Sequence, residues 1–209
     1  MRISIARPLV AALAIAAFAA AASAQQKGSS STASGTVDLS AYPIPPLDAS
    51  EQQLLRGMSD ADILGHFITV DSMEVATADS AMRILKTDNV LAYARLMHAA
   101  HTDHWKRARD IGKQAGITPV TIFGGLKASH VAASLDSVHF ASDVTLDRHY
   151  VMSQVQLHQH VLAELEALQS VAKNPAVRDE IAATIPVVRD HLSRAHALAV
   201  EKGFEKKRA

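Results

Sequence analysis

The stretch LMHAAHTDHWKRA, Leu96 to Ala108, carries a histidine at every third position: His98, His101 and His104. On a helix each step of three residues turns by about 300°, so successive histidines are offset by about 60°. The three therefore fan across one side of the helix, and at most one or two of them look into a core. The apolar neighbours set the frame: Ala94, Met97, Trp105 and Ala108 share one stripe, and His101 falls within it. A single helical histidine is more often a packing or surface group than a ligand. What His101 means therefore depends on what the rest of the chain brings to its level.

Working outward, this helix is expected over residues 90–114, stopped by Gly116 with Pro119 beyond. Before it, Ile63, Phe67, Val70, Ala78, Ala81 and Leu85 recur at helical spacing and predict a helix over 60–86. A turn over Lys86 to Asn89 follows, with Asp88 as its capping residue. After it come about 28 residues, Ile117 to Val144, holding Phe123, Gly124, Gly125, His130 and His139. That is long for a connection between neighbouring helices. It either crosses the length of the bundle or carries a short helix near 126–135. A third long helix is expected from Asp143 to Lys173, broken by Asn174 and Pro175, and a fourth from there to Lys202, with Gly203 as its stop. Four long amphipathic helices, 4% aromatic residues and no strand pattern predict an all-α chain, a four-helix bundle over 59–203 with one long connection between its second and third helices.

The ends of the chain read differently. Arg2 and Arg7 precede an apolar, alanine-rich run from Leu9 to Ala21, and Ala22, Ser23 and Ala24 follow. This is the pattern of a secretory signal peptide (1–24) cleaved after Ala24, so the expected location is the periplasm. The run is too short for a convincing membrane span, and none is expected after cleavage. Residues 25–58 are rich in Ser, Gly and Pro and are expected to form a disordered linker, although Asp48 and Glu51 have the spacing to cap a short lead-in helix. Residues 204–209 are expected to be a solvated basic tail. The chain has no cysteine, so its stability rests on its core rather than on disulfides. Lys+Arg and Asp+Glu balance at 21 each, which argues against a nucleic-acid partner.

Each predicted helix carries one polar residue inside its apolar stripe: Glu74, His101, His158 and His191. Glu74 and His101 lie about equally far from the turn near Thr87, and His158 and His191 about equally far from Asn174. Antiparallel neighbours then bring each pair to one level near mid-length of helices ~40 Å long. Four buried polar groups at one height would be costly without partners. One carboxylate and three imidazoles suit a transition metal such as Zn, Cu, Ni or Fe better than Mg or Ca. They also suit a metal-free hydrogen-bonded network, and both readings stay open. Asp71, His98 and His104 are candidates for a supporting shell; His149 and His160 are expected to face outward. Pro186, five residues before His191, is expected to bend the last helix, which either aims His191 inward or only wraps the core.

Four segments resemble the bacterial exported family catalogued as domain of unknown function 4142, often labelled predicted outer-membrane protein: SMEVA (Ser72 to Ala76), YARLMHAAHT through KQAGITP (Tyr93 to Pro119), DRHYVMSQVQLHQHVL (Asp147 to Leu162) and NPAVRDEIAATIPVVRDHL (Asn174 to Leu192). The likeness spans about Ser59 to Leu198. It implies a ferritin-like bundle whose recurrent polar positions are Glu74, His101, His158 and His191, and an association with the outer membrane; it implies no activity. The family usually has an acidic residue just before the histidine of the second helix, where this chain has Ala100. The Glu-x-x-His pair that di-iron bundles place on two helices is missing from the helices, and its spacing occurs only at Asp136 to His139 in the connection. No phosphate loop, dinucleotide fingerprint or nucleophile elbow occurs, so no nucleotide or flavin is expected.

Three functional classes follow: a non-enzymatic exported bundle that binds a transition metal, an envelope stress or interaction protein whose polar cluster is structural, and a metalloenzyme of redox or hydrolytic type with Asp71 or His104 moving protons.

Overall fold

The computed structural model describes residues 35–120 and 143–208, and side chains from 146 on in the second stretch. Among them are five α-helices and no strand: α1 (Ala49–Arg56), α2 (Asp60–Ile84), α3 (Asp88–Ala115), α4 (Asp143–Leu168) and α5 (Pro175–Glu201). They form a helical bundle. The expected boundaries of the long helices hold to within about two residues, except that α4 ends at Leu168 rather than at Lys173. There the Asp60 carboxylate, at the start of α2, accepts from the backbone N–H groups of Lys173 (2.9 Å) and Asn174 (3.0 Å), giving the turn partners that a longer helix would have given it.

Local chemistry sets most helix ends. Ser59 and Asp62 form a capping box on α2, as Asp48 and Glu51 do on α1. Asn174 caps α5, with Pro175 at its first position. At α3 the N-cap is Thr87 rather than Asp88, and no side chain caps it; the Thr87 hydroxyl donates instead to Asp147 of α4. Gly116 closes α3 with φ +68°, a left-handed conformation that glycine adopts without strain. Beyond it the chain doubles back over α2, and Val120 N–H donates to Ala61 C=O at 3.0 Å. A Cβ on Gly65 would stand 1.7 Å from the Val120 carbonyl oxygen, so only glycine permits that approach.

The contacts fix the directions. Asp60 meets the α4–α5 turn, Thr87 meets the start of α4, and Asn89 meets Glu201 at the end of α5. Hence α2 runs antiparallel to α3 and to α4, and α5 antiparallel to α4. The end of α3 and the start of α4 therefore lie at opposite ends of the bundle. Phe123 to Gly125, His130, His139 and the proposed short helix lie outside the described residues.

Most of the four predicted stripes lies in the core, although Val70 of the first is only partly buried. Ile63, Phe67, Ala78, Met97, Ala108, Val151, Val155, Leu162, Leu165, Ile181, Val188 and Leu198 are all buried. Each large aliphatic side chain fully buried contributes about 1.5–3 kcal/mol. Trp105 departs from its expected inward position: it is partly exposed, with the Arg109 guanidinium 4.6 Å above its ring.

Residues 35–58 are not the structureless linker that their composition predicts. Val37 donates to Ser193 Oγ at 2.9 Å and accepts from it at 2.5 Å. Tyr42, Leu55 and Met58 are buried, and α1 packs on α4. Abundant Ser and Pro hide three well-spaced apolar anchors, which are enough to hold the segment down. Nor is the chain after Gly203 merely solvated: Phe204 packs on the core, Glu205 pairs with buried His196 at 2.6 Å, and the Arg208 guanidinium lies over the Tyr42 ring. No described helix is long and apolar enough to cross a membrane.

Candidate metal centre

Mid-way along the bundle, α3, α4 and α5 each turn one histidine inward. The ring centroids of His101, His158 and His191 are 5.5–5.8 Å apart, in tilted or edge-to-face arrangement. One ring nitrogen of each lies within 4.8 Å of the others, and all three residues are buried. The equal offsets from the two turns thus do translate into one level.

The rings are held from behind. His101 Nδ1–H donates to Asp71 Oδ1 at 2.8 Å, and His158 Nδ1–H donates to the Gln154 carbonyl at 3.0 Å. Both bonds occupy Nδ1, and both Nε2 atoms are buried without a hydrogen-bond partner. Nδ1 of His191 is in the same condition. Three unpartnered nitrogens from three helices in one place is a rare arrangement, because buried polar atoms almost always find partners.

Glu74 of α2 stands beside this group rather than among its closest nitrogens. Its carboxylate accepts from Gln154 Nε2 at 3.0 and 3.3 Å, and its Oε2 is 3.9 Å from His101 Nε2. Gln154 was missed at the sequence level, because a glutamine one turn before a histidine carries no signal of its own. Tyr93 and Tyr150 flank the site; the Tyr93 hydroxyl donates to the His191 carbonyl at 3.2 Å, and the Tyr150 hydroxyl is buried without a partner.

Asp71 of α2 contacts two histidines of α3. Its Oδ2 lies 2.8 Å from His104 Nδ1, so one carboxylate ties together both inward histidines of the opening stretch. His104 Nε2 in turn is 3.1 Å from the Thr184 hydroxyl and 3.4 Å from Glu180, which meets exposed Arg107 at 3.0 Å. His98 is not part of this arrangement: it sits at the surface, 3.3 Å from Asp79. His160 is about one-third exposed, as expected, with Nε2 3.2 Å from Glu164.

The electrostatics divide the histidines. Burial, with the charge of His101 beside it, holds His158 down at about 3. Burial and the neighbouring imidazoles hold His191 well below its ordinary value. Both are neutral at physiological pH, the state in which imidazole binds metals. Burial also opposes the charge on His101, but the Asp71 hydrogen bond and the charges of Glu74 and Asp71 outweigh it and raise that ring. Burial raises Glu74. Asp71 is buried too, yet the His104 and His101 contacts keep it below its ordinary value, so it stays an anion.

A second buried group escaped the sequence reading. Glu164 of α4 accepts from His66 Nε2 of α2 at 3.1 Å, and His160 flanks its other oxygen. His66 falls one residue before Phe67 of the apolar stripe, a one-position facing error that periodicity does not resolve.

A family model described as Domain of unknown function (DUF4142) matches residues 45–198. No curated protein and no solved structure matches the chain.

Proposed function

The chain belongs to the DUF4142 family, and from that premise we propose that it is an exported helical bundle whose core binds a transition metal. The ligands are Nε2 of His101, Nε2 of His158 and Nδ1 of His191, with the Glu74 carboxylate beside them. The observation that carries this reading is the trio of buried ring nitrogens without hydrogen-bond partners. Such atoms lose the desolvation energy of a polar group and gain nothing in return unless something binds them. Two of the rings are neutral already, and metal binding requires His101 to be neutral as well, against the raising effect of Asp71 and Glu74. Asp71 and the Gln154 carbonyl orient two ligand rings from behind, as supporting groups do in metal sites. An imidazole-rich set with a single carboxylate favours Zn, Cu, Ni or Fe(II) over Mg or Ca. Bound there, Zn would supply a Lewis acid, and Cu or Fe a one-electron couple.

The placement of the end of α3 and the start of α4 at opposite ends of the bundle supports the finer fold assignment, a ferritin-like four-helix bundle, since one long crossover marks that topology. Without a Glu-x-x-His pair on the described helices, ferritin-type iron oxidation is not proposed. Export to the periplasm rests on residues 1–24, with outer-membrane association and an envelope protein partner as open extensions; no nucleic acid is proposed as a ligand.

A second reading has its own support. Glu74 accepts from Gln154 and stands 3.9 Å from His101 Nε2, so it supplies a counter-charge to that ring without any metal. The cluster would then be a closed structural network in an envelope stress or interaction protein. Elemental analysis separates the two. Mature protein purified without an affinity tag is expected to carry near-stoichiometric metal, and a His101→Ala/His158→Ala variant none. No metal in the parent after incubation with Zn, Cu, Ni and Fe(II) would leave the structural reading standing.

A further inference from the structure

A cavity of about 40 Å³ adjoins two of the three imidazoles, between the four long helices. His101 and His191 line it, as do Asp71 and His104, while Phe67 and Leu165 supply apolar wall. Its lining includes three residues that reach toward solvent, Ala100, exposed Arg107 and 40% exposed Val187. The cavity touches two of the three rings and does not touch His158 or Glu74. It therefore abuts one side of the trio only.

Size decides what fits. One water needs roughly 10–15 Å³ measured in this way, so the space holds about three water-sized molecules. Sites for organic ligands of drug size are commonly about 300–1,000 Å³. The walls are mostly apolar, and the one carboxylate inside is already tied to two imidazoles. Nothing in the lining is arranged to recognise a sugar, a nucleotide or a peptide. Arg107, the cation at the mouth, is engaged by Glu180.

We propose that this cavity is the chamber for an exogenous ligand of the three-imidazole centre, a molecule of two or three heavy atoms that enters between Ala100 and Val187. The proposal rests on the metal reading above and deepens it by naming the class of molecule the centre meets. Dioxygen, peroxide and small linear anions belong to that class; organic substrates do not.

Cobalt(II) as the loading ion and azide as the probe test it. Cobalt(II) bound to the parent protein gives a visible spectrum that saturating azide is expected to shift. Val187→Trp and Ala100→Leu add bulk at the mouth without touching a ligand atom. Both are expected to bind cobalt(II) as the parent does and to weaken the azide response by roughly tenfold or more. If Ala100→Leu perturbs the neighbouring His101, the exposed Val187→Trp carries the test alone. A cobalt spectrum indifferent to azide, or a Val187→Trp variant that responds like the parent, overturns the chamber while leaving the metal site intact. Failure of cobalt(II) to bind at all, with Zn, Cu, Ni and Fe(II) also excluded, overturns the metal reading and the chamber with it.

Discussion

Two groups of buried histidine and glutamate can be compared within this bundle. At the α2–α4 contact, the Glu164 carboxylate sits between His66 at 3.1 Å and His160 at 3.2 Å, and burial is outweighed by these two imidazoles so that its pKa falls to about 2. At mid-bundle, His101, His158 and His191 each have an unpartnered ring nitrogen, and burial with the neighbouring His101 drives His158 down to about 3. The residue types are the same. The first group supplies its own counter-charge: one Glu164 oxygen accepts from His66, and the other, without a hydrogen bond, has the His160 ring 3.2 Å away. The second leaves a buried nitrogen of each ring with neither a hydrogen bond nor an acid within 3.5 Å. Burial of histidine is therefore no sign of a site. The sign is burial without satisfaction.

The largest effect expected from this contrast is at Glu164. Replacing it by Leu strips the partner from buried His66, and losing one member of a buried pair costs about 3–5 kcal/mol. Urea unfolding of Glu164→Leu should show that loss with or without metal. Replacing His66 and Glu164 together by Leu should recover most of it, because the uncompensated group is then gone. A loss below about 1 kcal/mol for the single variant would mean the pair is not the buried clip that its geometry describes.

Acid should separate the two groups next. Glu164 ionises at about 2 when folded against 4.5 otherwise, so its contribution is complete above 4.5 and is lost as the pH falls from 4.5 toward 2. His158 is depressed from 6.5 to about 3. The unfolded chain then takes up that proton first, and stability is lost as the pH falls from 6.5 toward 3. His101 has the opposite sign: its raised folded value adds stability that is complete below 6.5 and is lost only as the pH rises through that value. Metal-free protein should therefore weaken in two windows, with a slope of up to about 1.4 kcal/mol per pH unit for each titrating group. Removing the His158 ring should reduce the slope of the upper window, to which His191 also contributes, and leave the lower one. A pH titration of unfolding free energy on parent and His158→Leu checks this; an unchanged upper slope in the variant would break the assignment.

A smaller effect comes from the same variant at neutral pH. Because the His158 Nε2 has no partner, His158→Leu should alter metal-free stability by only about 1 kcal/mol in either direction. Removing the Glu164 carboxylate should do several times that. With metal present the order should change, since a bound ion at 100-fold above its Kd adds about 2.7 kcal/mol that the variant cannot gain. Equal losses for His158→Leu with and without metal would dissolve the distinction between the two groups.

The sequence exposed the first-rank features of this architecture and hid the second. Long stripes such as Val151, Val155, Leu162 and Leu165 are legible because burial of a helix face is periodic. The shared level of His101, His158 and His191 was legible because tight turns make height a matter of counting residues. Gln154, His66 and Glu164 were not legible: each takes its meaning from a partner on another helix, and pairing across a bundle leaves no mark on local spacing. The anchoring of residues 35–58 was hidden in the same way, since the partner of Val37 is Ser193.

The smallest effect belongs to His98, and it returns to the opening stretch. His98, His101 and His104 are indistinguishable by spacing, yet the structure gives them three environments. His101 and His104 are drawn in by the two oxygens of one buried carboxylate, Asp71. His98, a further 60° round the helix, meets Asp79 at the surface, where its side chain keeps 36% of its exposure. An exposed pair of this kind is screened by water and is worth about 0.5 kcal/mol or less. His98→Gln should therefore leave both stability and metal content at the parent level. Asp71→Asn keeps the shape and one oxygen but removes the charge shared by two imidazoles, so it should lower metal affinity by about 10–100-fold, the usual penalty for losing a supporting carboxylate. Competition with a chromophoric chelator measures both. Should His98→Gln lose metal and Asp71→Asn keep it, the fan of histidines on α3 would be working from its outer edge, and the inward face would be no more than a packed core.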